Sequence, residues 1–177
     1  MSAAPPVLIV MGVSGSGKTT LARLLAGRLA WTFEEGDSLH PSANIEKMRS
    51  GHPLTDEDRK PWLVAIGRWI DAATARGQPA IVTCSALKRA YRNLLRRGRP
   101  QVLFVYIELD RATLAERVEN RRGHFMPPSL LDSQLADLET PGADEPVITV
   151  DGHPPAPEQA DSVLTSLEQR WPLRSAG

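Results

Sequence analysis

The sequence predicts an α/β domain, a parallel sheet sandwiched between helices. Strand and helix patterns alternate along the chain. The clearest strand candidates, residues 7–10, 80–84 and 102–107, are continuous apolar runs, the signature of strands buried on both faces. The first of them runs into a Gly/Ser-rich turn and then a helix pattern, the opening unit of a βα fold.

Residues 7–10 (VLIV) are apolar and rich in β-branched side chains. After the turn, Leu21, Leu24, Leu25 and Leu29 recur on one helical face. A short second strand is expected before Gly36. Residues 32–54 are otherwise polar and irregular, with one helix over 42–49. Thr55 followed by Asp58 forms a helix start, Pro61 is expected in the first turn, and the helix runs to about residue 75, ended by Gly77 and Pro79. Residues 80–84 read as a buried strand, 86–96 as a basic helix and 102–107 as another buried strand. Asp110 caps a helix that reaches about residue 121. A loop over 122–128, a helix over 129–138, a strand over 147–150 and a closing helix over 157–171 complete the pattern. Residues 1–6 and 172–177 read as frayed ends, and 151–157 (DGHPPAP) as a Pro-rich loop within the domain.

Composition narrows the function classes. At 177 residues the chain suits one domain with a real core, and no internal repeat is visible. No apolar run approaches the roughly 20 residues a membrane helix needs. The N-terminus carries no basic segment ahead of its apolar stretch, so no signal peptide is expected. Acidic and basic residues balance at 21 each. That argues against nucleic acid as a partner, despite the acid-free basic stretch from Lys88 to Arg99, which also lacks an aromatic stacking pattern. The single cysteine, Cys84, permits no internal disulfide and reads as a small buried hydrophobe in a cytoplasmic protein. The four histidines have no metal-ligand spacing, so no zinc site is expected. Trp62 and Trp69, seven apart on one helix, are expected in the core or at a homodimer contact.

Chemistry enters with Gly12-Val13-Ser14-Gly15-Ser16-Gly17-Lys18-Thr19, a full match to G-x-x-x-x-G-K-[ST] after an apolar strand and opening a helix. Glycines let consecutive N–H groups turn inward around a phosphate, and the helix N-terminus adds a positive dipole end. Lys18 supplies a point charge for the β- and γ-phosphates, and the Thr19 hydroxyl can ligate Mg²⁺. Gly12, Ser14, Gly15, Ser16, Gly17, Lys18, Thr19 and Thr20 are therefore the expected ATP-binding residues. A GTP switch would need N-K-x-D, which is absent. Asp110, which ends LFVYIELD, resembles the acidic strand end of motor ATPases but is better placed as a helix cap. Small size favours a kinase of a small molecule.

On the acceptor side, Asp37 follows the second strand, where a carboxylate would face the γ-phosphate and orient or deprotonate a hydroxyl. An Asx-turn or cap before Pro41 accounts for it equally well. The charged stretch 44–63 interleaves with Gly51, Pro53, Pro61 and Trp62, which suggests a shaped pocket.

These blocks together resemble a known family. GDSLHP, N-IEKM-SG-PLTDEDRKPWL, CSALKRAYR, RRGHFM and SQ-ADLE-P-ADE look like gluconokinase, the ATP-dependent kinase of D-gluconate, over roughly residues 7–150. The resemblance implies a P-loop kinase fold similar to shikimate kinase and the nucleoside monophosphate kinases. Its parts would be a core five-stranded parallel sheet, a substrate-binding helical region at about 37–76 and a lid at about 121–130. It implies phosphorylation of gluconate at the 6-hydroxyl, giving 6-phosphogluconate and ADP. By motif, Asp37 is its acceptor-side acid, and His40, Lys47, Arg59, Lys88, Arg92, His124 and Gln134 fall in acceptor-pocket or lid motifs. Arg117 and Arg121 lie in or beside the lid. Lys18, Asp37 and Arg121 are the expected catalytic groups, and Thr19 the metal ligand.

The chemistry is consistent. An anion with many hydroxyls needs cations and forked donors, which Lys47, Arg59, Lys88 and Arg92 supply. Arg117 and Arg121, four apart, share a helical face and can close over ATP phosphates. Two rivals stand beside this expectation: a P-loop kinase of shikimate or another sugar acid, and a regulator that binds ATP and gluconate without turnover.

Overall fold

Five strands, β1 (Val7–Met11), β2 (Thr32–Glu34), β3 (Ala80–Thr83), β4 (Val102–Glu108) and β5 (Val147–Asp151), form one all-parallel sheet in the order β2-β3-β1-β4-β5. The computed structural model describes residues 3–120 and 129–170. β1 is central, with Val7 in register with both Ala80 and Val102. Side chains alternate across the sheet. Ile9, Val82 and Phe104 enter a core built with α3 (Asp56–Ala75) and α4 (Arg89–Arg96). Leu8, Ile81 and Val105 enter a second core with α1 (Lys18–Leu29) and α7 (Ala156–Arg170). Burial on both faces is why these strands are continuous apolar runs.

The remaining helices, α2 (Ser42–Arg49), α5 (Arg111–Glu119) and α6 (Leu130–Asp137), gather at the carboxyl ends of the strands. Val13, Leu87, Leu114 and Leu131 pack together there, which ties the loop after β1 to α5 and α6. Met48, Leu54 and Leu130 join α2 to α6.

The helix starts follow the expected chemistry. Thr55 Oγ1 accepts from Asp58 N at 3.1 Å, and the Asp58 carboxylate accepts from Thr55 N at 2.9 Å, a reciprocal capping box. Asp110 caps α5 by accepting from Thr113 N at 2.9 Å. Trp62 belongs to the core, 2% exposed, with its indole N–H donating to Gly36 O at 2.8 Å.

Three local expectations are corrected. Helix α4 starts at Arg89 rather than 86, because Ala86 holds a left-handed φ of 46° that no helix continues through. Pro61 lies in the second turn of α3, since the capping box fixes the start at Thr55. Glu35 lies outside β2; it is the residue before a 3₁₀ turn at Gly36–Leu39. That turn passes so close to β3 that a Cβ on Gly36 would sit 1.7 Å from Thr83 O.

Candidate active site

The loop after β1 has the conformation its glycines allow. Gly12, Gly15 and Gly17 take φ of 145°, 83° and 95°, and Gly17 leads directly into α1. The Lys18 ammonium arches back over the loop, donating to Gly12 O at 3.0 Å and Val13 O at 3.1 Å. Ser16 Oγ is the one buried side-chain polar atom without a hydrogen-bond partner among the described residues. A loop with backbone amides at a helix N-terminus, a lysine across it and an unsatisfied buried hydroxyl fits a bound polyphosphate.

Facing the loop is the segment after β2. Glu35 accepts from the Thr19 hydroxyl at 2.6 Å and, through its other oxygen, from the Thr83 hydroxyl at the end of β3. Thr83 Oγ1 in turn accepts from Gly36 N at 3.0 Å. Asp37 lines the same cleft. A strand running up to Gly36 would put Glu34 and Glu35 on opposite faces, so that at most one of them could face the cleft. Because β2 ends at Glu34, Glu35 is freed from that alternation and enters the site.

The cleft continues from Lys18, Thr19, Glu35 and Asp37 to His40, Arg59, Trp62 and Gln134. Arg59, 8% exposed, donates through Nη1 to the Tyr91 hydroxyl at 2.9 Å and to Asp137 at 3.0 Å. Burial opposes its charge, but the bonds to Tyr91 and Asp137 raise its pKa above the ordinary value. The His40 ring stacks on Trp62 with centroids 4.0 Å apart and planes 15° apart. Burial, with the nearby Arg59 charge, pulls its pKa down to about 4, so it is neutral near pH 7. Gln134 accepts from Ser14 N at 2.8 Å, so its carbonyl braces the phosphate loop.

Beside the loop, Gly15, Gly17, Thr20 and Arg117 line an open hollow. Arg117 donates to Gly152 O at 3.1 Å, which draws the 151–157 loop to the same place.

Three expected acceptor-pocket cations do not line the cleft. Arg92 is 1% exposed and pairs with Glu145 at 2.7 Å; its Nη atoms donate to the carbonyls of Ala86, Leu87 and Glu139. Its donors tie α4 to the loop that precedes it and to the segment between α6 and β5, so it belongs to an interior ion pair. Lys47 pairs with Asp58 at 2.6 Å, and that bond, before the Thr55 backbone bond, pulls Asp58 down to about 2. Lys88 pairs with Asp56 at 2.9 Å, and Tyr91 donates to the same carboxylate. The motif blocks assigned these cations to the acceptor pocket, but a motif does not say which way each side chain points. Arg121, His124 and most of the lid expected at about 121–130 lie outside the described residues.

The sheet order with a phosphate loop after the central strand defines the P-loop kinase fold. The AAA domain family matches residues 7–141. A gluconokinase of Gluconobacter oxydans is 56% identical over 94% of this chain and 92% of its own. The solved gluconokinase of Sinorhizobium meliloti is 44% identical, covering 96% of this chain and 95% of that one, with a TM-score of 0.84. Shikimate kinase of Aquifex aeolicus, at 19% identity over 93% of this chain and 97% of its own, shares the fold with a TM-score of 0.58. The chain belongs to the gluconokinase family.

Proposed function

We propose that this chain transfers the γ-phosphoryl group of ATP to the 6-hydroxyl of D-gluconate, giving 6-phosphogluconate and ADP. The observation that carries this reading is that the phosphate loop and the acceptor-side residues line one cleft. Lys18 and Thr19 stand at one end, with Asp37, His40 and Arg59 beyond them.

In this reading the acceptor oxygen forms the new bond to the γ-phosphorus as the bond to the β–γ bridging oxygen breaks. Lys18 stabilises charge on the transferring group and the loop amides hold the remaining phosphates. Asp37 orients the attacking hydroxyl and takes its proton late, since the transition state is loose. Arg59, a buried cation whose Nη1 is committed to Tyr91 and Asp137, offers its remaining donors to the gluconate carboxylate. Arg117, and Arg121 by motif, serve the ATP phosphates.

Thr19 and Glu35 are the residues that would hold Mg²⁺. A threonine oxygen can offer a lone pair to a metal while its proton stays on a carboxylate, which is the bond seen between these two. The ion would neutralise charge on the β- and γ-phosphates. We place the reaction in the cytoplasm, which the single buried Cys84 supports. Among the described residues no helix is long and apolar enough to cross a membrane.

A coupled ADP-release assay over gluconate, its epimers, shikimate and nucleoside monophosphates tests the proposal. Gluconate is expected to give the highest kcat/KM, with 6-phosphogluconate as product. Faster turnover of another acceptor, or binding of ATP and gluconate without ADP release, would overturn it.

A further inference from the structure

The charge state and tautomer of His40 are legible from its neighbours. Asn44, four residues on in α2 and 6% exposed, places its Nδ2 2.8 Å from the Asp58 carbonyl and 3.2 Å from His40 Nδ1. A carbonyl oxygen only accepts, so the amide must present its nitrogen there, and the orientation of the Asn44 side chain is settled. That same nitrogen only donates, so His40 Nδ1 must accept. A neutral imidazole with an accepting Nδ1 carries its proton on Nε2. Nε2 has no protein partner among the described residues, and His40 lines the cleft beside Asp37 and Arg59. Trp62 holds the ring plane by stacking, and its own N–H is anchored to Gly36 O.

We propose that Asn44 is a positioning residue that fixes His40 as the Nε2–H tautomer, so that near neutral pH this ring serves as an uncharged hydrogen-bond donor to a hydroxyl of the acceptor. A doubly protonated ring would set an N–H against the Asn44 amide protons. The charged groups that line the cleft with the ring are Arg59 from α3, which disfavours a second positive charge, Lys18 from the start of α1, and the carboxylates Glu35 and Asp37. The consequence is an acceptor site that contains a histidine and yet does not titrate near neutral pH. The identity of the hydroxyl donor's partner rests on the gluconate reading; the tautomer does not.

Long-range ¹H–¹⁵N spectra of the full chain decide the tautomer directly, with His40 assigned by the signal lost in His40→Gln. A protonated Nε2 and an unprotonated Nδ1, unchanged from pH 9 to pH 5, are expected. A protonated Nδ1, or a ring that titrates between pH 6 and 8, overturns the proposal even if the enzyme phosphorylates gluconate. The kinetic arm uses Asn44→Asp, which sets a carboxylate against Nδ1 and favours the imidazolium. The expected result is a new ionisation in the pH profile of the gluconate KM, a rise in that KM of about tenfold and little change in the ATP KM. A folded Asn44→Asp variant whose gluconate KM stays flat with pH overturns the role in acceptor binding. If no sugar acid is turned over, the spectra still test the tautomer, so failure of the gluconate reading is seen separately.

Discussion

The Thr19 hydroxyl donates to the Glu35 carboxylate at 2.6 Å, joining the phosphate loop to the segment that leaves β2. Thr83 holds the other carboxylate oxygen from the end of β3. The start of α1 and the ends of β2 and β3 thus converge on one acid, which lines the cleft together with Asp37. Glu35→Gln keeps the shape and removes the charge. We expect the Mg²⁺ concentration for half-maximal rate to rise about tenfold, the effect of losing roughly 1.4 kcal/mol. Metal-free ATP binding should be unchanged. An unaltered Mg²⁺ titration would take Glu35 out of the metal site.

Asp37→Asn tests the acceptor side. General-base assistance is typically worth about 10²–10⁴ in rate, so kcat should fall about a hundredfold or more while the ATP KM barely moves. Should the variant instead weaken ATP binding and keep its kcat, Asp37 serves the loop or the metal.

Arg92 separates packing from binding. Removing one member of a buried ion pair costs about 3–5 kcal/mol. Arg92→Leu should therefore lower the urea midpoint sharply, while the protein that remains folded keeps its gluconate KM. A variant of normal stability with a raised gluconate KM would return Arg92 to the acceptor pocket.

His40 predicts an acid sensitivity of definite sign. Its pKa falls from 6.5 in the unfolded chain to about 4 in the native protein. As pH drops below about 6.5 the unfolded state gains a proton that the native state refuses, so stability falls and levels off only below about pH 4, once the native ring is protonated too. At 1.36 kcal/mol per pH unit, over the interval from 6.5 to about 4, the loss is on the order of 3 kcal/mol. Urea midpoints of wild type and His40→Gln between pH 7 and pH 4 measure it. Equal losses in the two proteins would show that His40 is not the source.

The architecture and the phosphate end of the site were legible in the amino-acid sequence. The apolar runs of β1, β3 and β4, the glycines at 12, 15 and 17, Lys18, Thr19 and the Thr55–Asp58 cap act through local geometry and period, which are properties of neighbouring residues. The motif blocks likewise brought Asp37, His40, Arg59 and Gln134 to one cleft. Which way the charged side chains turned was set by contacts between distant segments. Arg59 and Arg92 are both arginines on amphipathic helices within specific motifs. One reaches the cleft because Tyr91 and Asp137 hold it there, and the other is drawn inward by Glu145, 53 positions away in sequence. Glu35 entered the site because β2 ends one residue early, where the chain must pass Thr83 too closely for any side chain but that of Gly36. Such partners are distant along the chain, and a strand end is set by what packs against it, so neither leaves a periodic mark in the sequence.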